Sequence, residues 1–135
     1  MAALPARSAT IRHMQHSPGF LRLVEEAKSR IRELSIPEYL DWRDSGRQHI
    51  LIDTREESEW KAGRIPGAIH LCKGVIERDI ERTVPDHSAT LVLYCGGGYR
   101  SALAADNLQK MGYTNVLSLA GGWRDWVERG LPTEP

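Results

Sequence analysis

From Ser35 onward the chain alternates short apolar runs bounded by turn residues with stretches whose apolar positions fall three and four apart. The runs His49 to Asp53, Ala68 to Leu71, Leu91 to Tyr94 and Asn115 to Leu119 have the length and composition of strands. Ser35 and Glu38 have the spacing of a capping box and predict a short helix ending near Gly46. Thr54 and Glu57 repeat that spacing before a helix that stops at Gly63. Val75 to Arg82, Ser101 to Met111 and Trp123 to Arg129 complete the helical stretches, and Gly112 ends the second of them. Strand, helix, strand order repeated in this way implies a small doubly wound α/β domain. Its sheet should be mostly parallel, have about five strands and carry helices on both faces.

An amphipathic segment precedes this pattern. Pro18 to Leu34 reads as a helix with Ser17 as N-cap and proline in the first turn, where its missing donor costs nothing. Phe20, Val24, Ala27, Ile31 and Leu34 form a stripe along one face, which must be buried. The expected solution is packing back on the same domain, and the alternative is a homodimer through the Pro18–Leu34 helix. The division expected is therefore a tail and amphipathic helix over residues 1–34 and the α/β domain over residues 35–135. Arg7, Arg12 and Arg22 with no acid before Glu25 read as a loose basic tail, or as an organellar transit peptide. No apolar core of a secretory signal is present in this stretch.

The candidate chemistry lies between the Leu91 strand and the following helix, where the chain reads Cys95-Gly96-Gly97-Gly98-Tyr99-Arg100-Ser101. Glycine reaches positive φ without steric cost, so three in a row let successive amides curl inward toward one point. The helix that follows adds unsatisfied N–H groups and the positive end of its dipole. Together they favour an anion at or just beyond the Cys95 sulfur and make its thiolate available as a nucleophile. The plainer alternative is a packed thiol in a tight connection, which does not require so much exposed backbone near sulfur. If the strands ending at Asp53 and Tyr94 are parallel, Asp53 and Arg55 approach the same loop. A nearby carboxylate disfavours a thiolate, so Asp53 is expected to be a structural acceptor for loop amides or for Arg55. Arg55 then either borders the pocket or only pairs with an acid.

Cys95-Gly96-Gly97-Gly98-Tyr99-Arg100-Ser101 resembles the active-site loop of the rhodanese-like sulfurtransferases, in which a cysteine opens a six-residue loop and carries a persulfide. Leu51-Ile52-Asp53-Thr54-Arg55 and Glu59-Trp60-Lys61-Ala62-Gly63-Arg64-Ile65-Pro66-Gly67-Ala68-Ile69 are similar to the family's first conserved segments. Gly121-Gly122-Trp123, Trp126 and Gly130-Leu131-Pro132 resemble its closing stretch. Arg64 departs from the pattern, since members often carry histidine there. The resemblance implies a two-step transfer through a Cys95 persulfide, from a small sulfur-containing anion such as thiosulfate to a thiol, cyanide or a sulfur-acceptor protein. It implies no metal and no organic cofactor. Gly96, Gly97, Gly98, Tyr99, Arg100 and Ser101 are the expected substrate-binding residues. The planar fork of Arg100 suits an oxyanion, Tyr99 is expected in the pocket wall, and Ser101 caps the helix or donates to the sulfur.

Two other readings compete. Cysteine phosphatases and arsenate reductases also place a thiolate in an anion-binding loop, but with five residues between cysteine and arginine, whereas four separate Cys95 from Arg100. A non-catalytic rhodanese-like binding module is the third, weakened because Cys95 is present. Composition narrows the setting further. The net charge is zero, so no overall field draws the chain to nucleic acid or a membrane surface, and no apolar run reaches membrane-spanning length. Cys72 and Cys95 make no disulfide framework, which suits a reducing, cytoplasmic compartment, although oxidation could join them. The histidines show no metal-ligand spacing.

Overall fold

The computed structural model describes residues 16–135. Helix α1 covers Pro18–Lys28 and is followed by β1, Arg32–Leu34. Then come α2 (Ile36–Ser45), β2 (Ile50–Asp53), α3 (Glu57–Ala62), β3 (Ile69–His70) and α4 (Ile76–Thr83). The chain continues with β4 (Leu91–Tyr94), α5 (Tyr99–Lys110), β5 (Val116–Leu119) and α6 (Gly122–Glu128). The five strands form one parallel sheet in the order β1-β5-β4-β2-β3. This is the α/β architecture expected from the alternating pattern.

The period of two along each strand sorts the core into two layers. Leu51, Val92, Tyr94, Leu117 and Leu119 pack on one face with Ile36 and Tyr39 of α2 and Trp126 of α6. Ile52, Leu91, Leu93 and Val116 pack on the other with Ile76 and Ile80 of α4 and Ala104, Ala105 and Leu108 of α5. The Ser35 capping box forms as its spacing predicts, with the Glu38 N–H donating to Ser35 Oγ at 3.2 Å and the Ser35 N–H donating to Glu38 Oε1 at 2.9 Å. The second box is shifted. Glu56, not Thr54, precedes α3, and its N–H donates to Glu59 Oε1 at 2.9 Å. The Thr54 hydroxyl is instead taken by the Tyr94 carbonyl at 2.9 Å, which ties β2 to β4.

The N-terminal segment differs from its expected form. The helix ends at Lys28, and Arg32–Leu34 leaves it to become an edge strand paired with Leu117–Leu119. Leu34 is buried in either conformation, so its place in a helical stripe did not distinguish helix from strand. Val24 and Ala27 are buried as α1 packs on α5, so the face that a homodimer would have used is covered within the chain. Arg30 fastens this junction, donating from Nε and Nη2 to Asp106 Oδ1 and Oδ2 at 3.0 and 2.8 Å. The bond from Arg30 holds the Asp106 carboxyl below its ordinary range. Stability from this pair is present at neutral pH and is lost as pH falls through the lowered value. Asp106→Ala is expected to cost about 1–2 kcal/mol in urea unfolding at pH 7 and less near pH 3, since half-exposed Arg30 is screened by water. An equal cost at both pH values would show that the pair contributes nothing. Among the described residues no helix is long and apolar enough to cross a membrane.

Candidate active site around Cys95

Parallel pairing puts the carboxyl ends of β2, β4 and β5 on one edge, with Asp53 opposite Tyr94 and Leu93 opposite Ser118. Cys95 follows β4 at that edge and is buried. Its sulfur receives the Gly98 N–H at 3.1 Å and the Ser101 N–H at 3.4 Å. Gly98 has φ +99°, the left-handed conformation that turns the chain sharply enough to aim both amides at one atom. The helix begins at Tyr99, so Ser101 lies in its first turn and does not cap it. The Ser101 hydroxyl lies 3.5 Å from the sulfur and is held by Ser118 Oγ at 2.8 Å. The only sequence signal of Ser118 is a single hydroxyl inside the apolar run of β5.

The outer side of the loop is fixed by α6. The Trp123 N–H donates to the Cys95 carbonyl at 2.8 Å and the Arg124 N–H to the Gly96 carbonyl at 2.9 Å. Gly122 makes this approach possible, because a Cβ there would overlap the Cys95 carbonyl oxygen. A cavity of about 250 Å³ opens on the sulfur, lined by His16, Cys95, Gly97, Tyr99, Arg100 and Arg124. Tyr99 is in its wall, with His16 edge-on to the Tyr99 ring at 4.9 Å. A larger cavity of about 530 Å³ lies at the opposite end of β2 and β4, beside Arg47, His49, Asp86 and Ser88, and has no cysteine in its wall.

Arg100 is half-buried and donates from Nη1 and Nη2 to the two carboxylate oxygens of Glu59 at 2.9 and 3.3 Å. Glu59 raises the affinity of Arg100 for its proton, and the Cys95 sulfur adds to the effect. In return, Arg100 holds the Glu59 carboxyl below its ordinary range. Glu59 therefore links the start of α3 to the loop, a pairing that needs the tertiary fold to be seen.

Asp53 and Arg55 lie beneath the loop, and neither lines the cavity. Asp53 is fully buried. Its Oδ1 accepts the Arg55 N–H at 2.9 Å, and its Oδ2 accepts Arg55 Nη2 at 2.7 Å and the Tyr94 hydroxyl at 2.8 Å. Burial and the Asp53 charge push the Tyr94 hydroxyl well above its ordinary value, so it stays protonated and donates. Arg55 also donates to the Gly63 carbonyl at 2.7 Å and lies 4.5 Å from the Trp123 ring centre. Of the two roles open to Arg55, the geometry gives the ion pair. Cys72 and Cys95 are both free thiols, and the Cys72 carbonyl accepts the N–H groups of Val75 and Ile76 where α4 begins. Arg64, the departure from the family pattern, anchors the C-terminal segment through backbone bonds with Glu134 and its own Nη1 on the Pro135 carbonyl.

The Rhodanese-like domain family matches residues 35–129. The chain belongs to the rhodanese-like family. Over 95 residues the rhodanese-like domain is 37% identical to the probable adenylyltransferase/sulfurtransferase MoeZ of Mycobacterium tuberculosis, covering 70% of this chain and 24% of that protein. It is 29% identical over 102 residues to the putative sulfur carrier protein YrkF of Bacillus subtilis, covering 76% of this chain and 54% of that one. The chain thus spans about a quarter to about half of these curated relatives. Among solved structures, the human single-domain sulfurtransferase TSTD1 has a TM-score of 0.64 and 29% identity, covering 72% of this chain and 96% of that one. RPA3614 of Rhodopseudomonas palustris, a protein of unknown function described as a possible tyrosine phosphatase, has a TM-score of 0.80 and 30% identity. That likeness covers 89% of this chain and 97% of the other.

Proposed function

We propose that the protein is a sulfurtransferase that moves sulfane sulfur from a donor such as thiosulfate to a thiophilic acceptor through a persulfide on Cys95. One observation carries this reading: the Cys95 sulfur receives two backbone amides, from Gly98 and Ser101, and also faces a small open cavity. The Cys95 thiolate attacks the outer sulfur of thiosulfate. The S–S bond breaks, its electron pair leaves with sulfite, and Cys95–S–S⁻ remains. A thiol, cyanide or the nucleophilic end of an acceptor protein then takes the outer sulfur and restores the thiolate, giving ping-pong kinetics. The loop amides are already oriented toward the sulfur anion, so they need not reorganise during reaction. Neither step requires a metal or organic cofactor. The sulfurtransferase and sulfur-carrier descriptions of MoeZ and YrkF support a protein among the acceptors, and free Cys72 and Cys95 suit a reducing, cytoplasmic setting.

In this reading Asp53 and Arg55 support the edge that carries the loop, while Arg100, held by Glu59, faces the sulfur anion. Arg100→Ala is expected to lower kcat/KM for thiosulfate about 10- to 100-fold. Because the Glu59 carboxyl lies below its ordinary value of 4.5, the pair persists at neutral and mildly acidic pH. It is lost only as pH falls through the lowered value. A variant within twofold of the parent would remove Arg100 from this role. The likeness to RPA3614 favours a second reading, a cysteine-dependent phosphatase. That enzyme would turn over para-nitrophenyl phosphate; the sulfurtransferase would show thiosulfate-to-cyanide transfer and no such turnover.

A further inference from the structure

The cations around the Cys95 cavity differ in what occupies them. Arg100 is committed to Glu59 through two hydrogen bonds. Lys28, whose ammonium lies 5.1 Å from the Tyr99 ring centre, is paired with Glu33 at 3.6 Å. Arg124 lines the same cavity, yet among the described residues its guanidinium has neither a hydrogen-bond acceptor nor an ion-pair partner. Its neighbour Asp125 does not serve, being engaged by Arg129 at 3.2 Å.

Arg124 is also held in place for contact with the loop. Its backbone N–H is fixed on the Gly96 carbonyl at 2.9 Å. Its Nη1 lies 3.0 Å from where a Cβ on Gly97 would be, and Nη2 lies 3.8 Å from the corresponding point on Gly96. The missing side chain at Gly97 leaves the space that the Arg124 guanidinium fills, whereas the corresponding space at Gly96 is taken first by Arg100 Nη2, at 3.1 Å. A planar cation without an acidic partner, set at the mouth of a cavity whose floor is a nucleophilic sulfur, suits the oxyanion end of an incoming donor.

We propose that Arg124 is the specificity-determining cation of the site, binding the anionic end of sulfonate-type sulfane donors while Arg100 faces the sulfur being transferred. The inference rests on the sulfur-transfer reading and adds a division of labour between the two arginines. The donor's outer sulfur points at Cys95 and its SO₃ group at Arg124, so sulfite departs toward the cavity mouth with the electron pair of the broken S–S bond.

The test compares two donors to the full chain: thiosulfate and an alkyl hydropersulfide, which carries no sulfonate group. Arg124→Ala should raise the thiosulfate KM about tenfold or more, with a smaller effect on kcat, and should lower transfer from the hydropersulfide less than threefold. Arg124→Lys, which keeps the charge but loses the fork, should fall between. Gly97→Ala, which keeps Arg124 but adds a methyl where Nη1 rests, should also raise the thiosulfate KM. An unchanged thiosulfate KM in Arg124→Ala, or equal losses with both donors, would overturn the proposal. Calorimetric binding of thiosulfate to Cys95→Ser, with and without Arg124→Ala, separates this inference from the reading beneath it. If the parent protein accepts sulfur from neither donor, the transfer reading fails. Thiosulfate binding that still depends on Arg124 would then support the anion site, and binding that does not would overturn it.

Discussion

Replacing Cys95 by serine is expected to eliminate sulfur transfer, lowering turnover of thiosulfate by about 10³-fold or more. Serine retains a small polar atom where the Gly98 and Ser101 amides converge, so the fold should survive with a stability change of about 1–2 kcal/mol. A hydroxyl in the same place is a far weaker nucleophile and cannot hold sulfane sulfur as a persulfide. Equal activity of the parent and the serine variant, checked by cyanide-dependent thiocyanate formation, would place the chemistry elsewhere. Loss of activity accompanied by loss of cooperative unfolding would mean that the thiol is needed for structure, so circular dichroism accompanies the assay.

Gly122→Ala should be the most damaging substitution outside the loop. Gly122 has φ +54°, in the left-handed region, and an added Cβ would collide with the Cys95 carbonyl oxygen and lie 3.0 Å from the Gly96 carbonyl oxygen. Both are backbone atoms and cannot swing away as a flexible side chain would. Helix α6 must then withdraw, breaking the Trp123 and Arg124 amide bonds to Cys95 and Gly96. A stability loss of about 3–5 kcal/mol is expected, together with a marked fall in sulfur transfer in whatever fraction remains folded. Gly46→Ala is the control: it too has positive φ, at +72°, but nothing lies within 4 Å of its Cβ position. It should cost about 1 kcal/mol and leave activity in place. Similar losses at Gly46 and Gly122 would show that backbone strain alone matters, without the contact between α6 and the loop.

What the sequence made legible was local or repetitive. The apolar run Leu91–Tyr94 ending in a cysteine and three glycines could be read as strand and turn because each residue type has one dominant backbone preference there. The parallel placement of Asp53 beside Tyr94 followed from the order of elements. The structure departs from the pattern where two conformations satisfy it equally. Leu34 fits a helical stripe as well as a short edge strand, and pairing of Arg32–Leu34 with β5 decides between them. Thr54 with Glu57 and Glu56 with Glu59 are both three apart, and Thr54 was claimed by the Tyr94 carbonyl. Glu59, Ser118, His16 and Arg124 belong to the site through contacts between elements distant in sequence, which no local pattern encodes. For Arg124 the one available hint is its place directly after Gly121-Gly122-Trp123, in the segment that resembles the family's closing stretch.

The most direct test of sulfur transfer through Cys95 is intact-protein mass spectrometry after incubation with thiosulfate and removal of excess donor. The parent chain should gain the mass of one sulfur atom, lose it on treatment with cyanide or dithiothreitol, and show no gain in Cys95→Ser. An unmodified parent protein with Cys95 reduced and accessible, or a sulfur gain that persists in Cys95→Ser, would contradict a Cys95 persulfide.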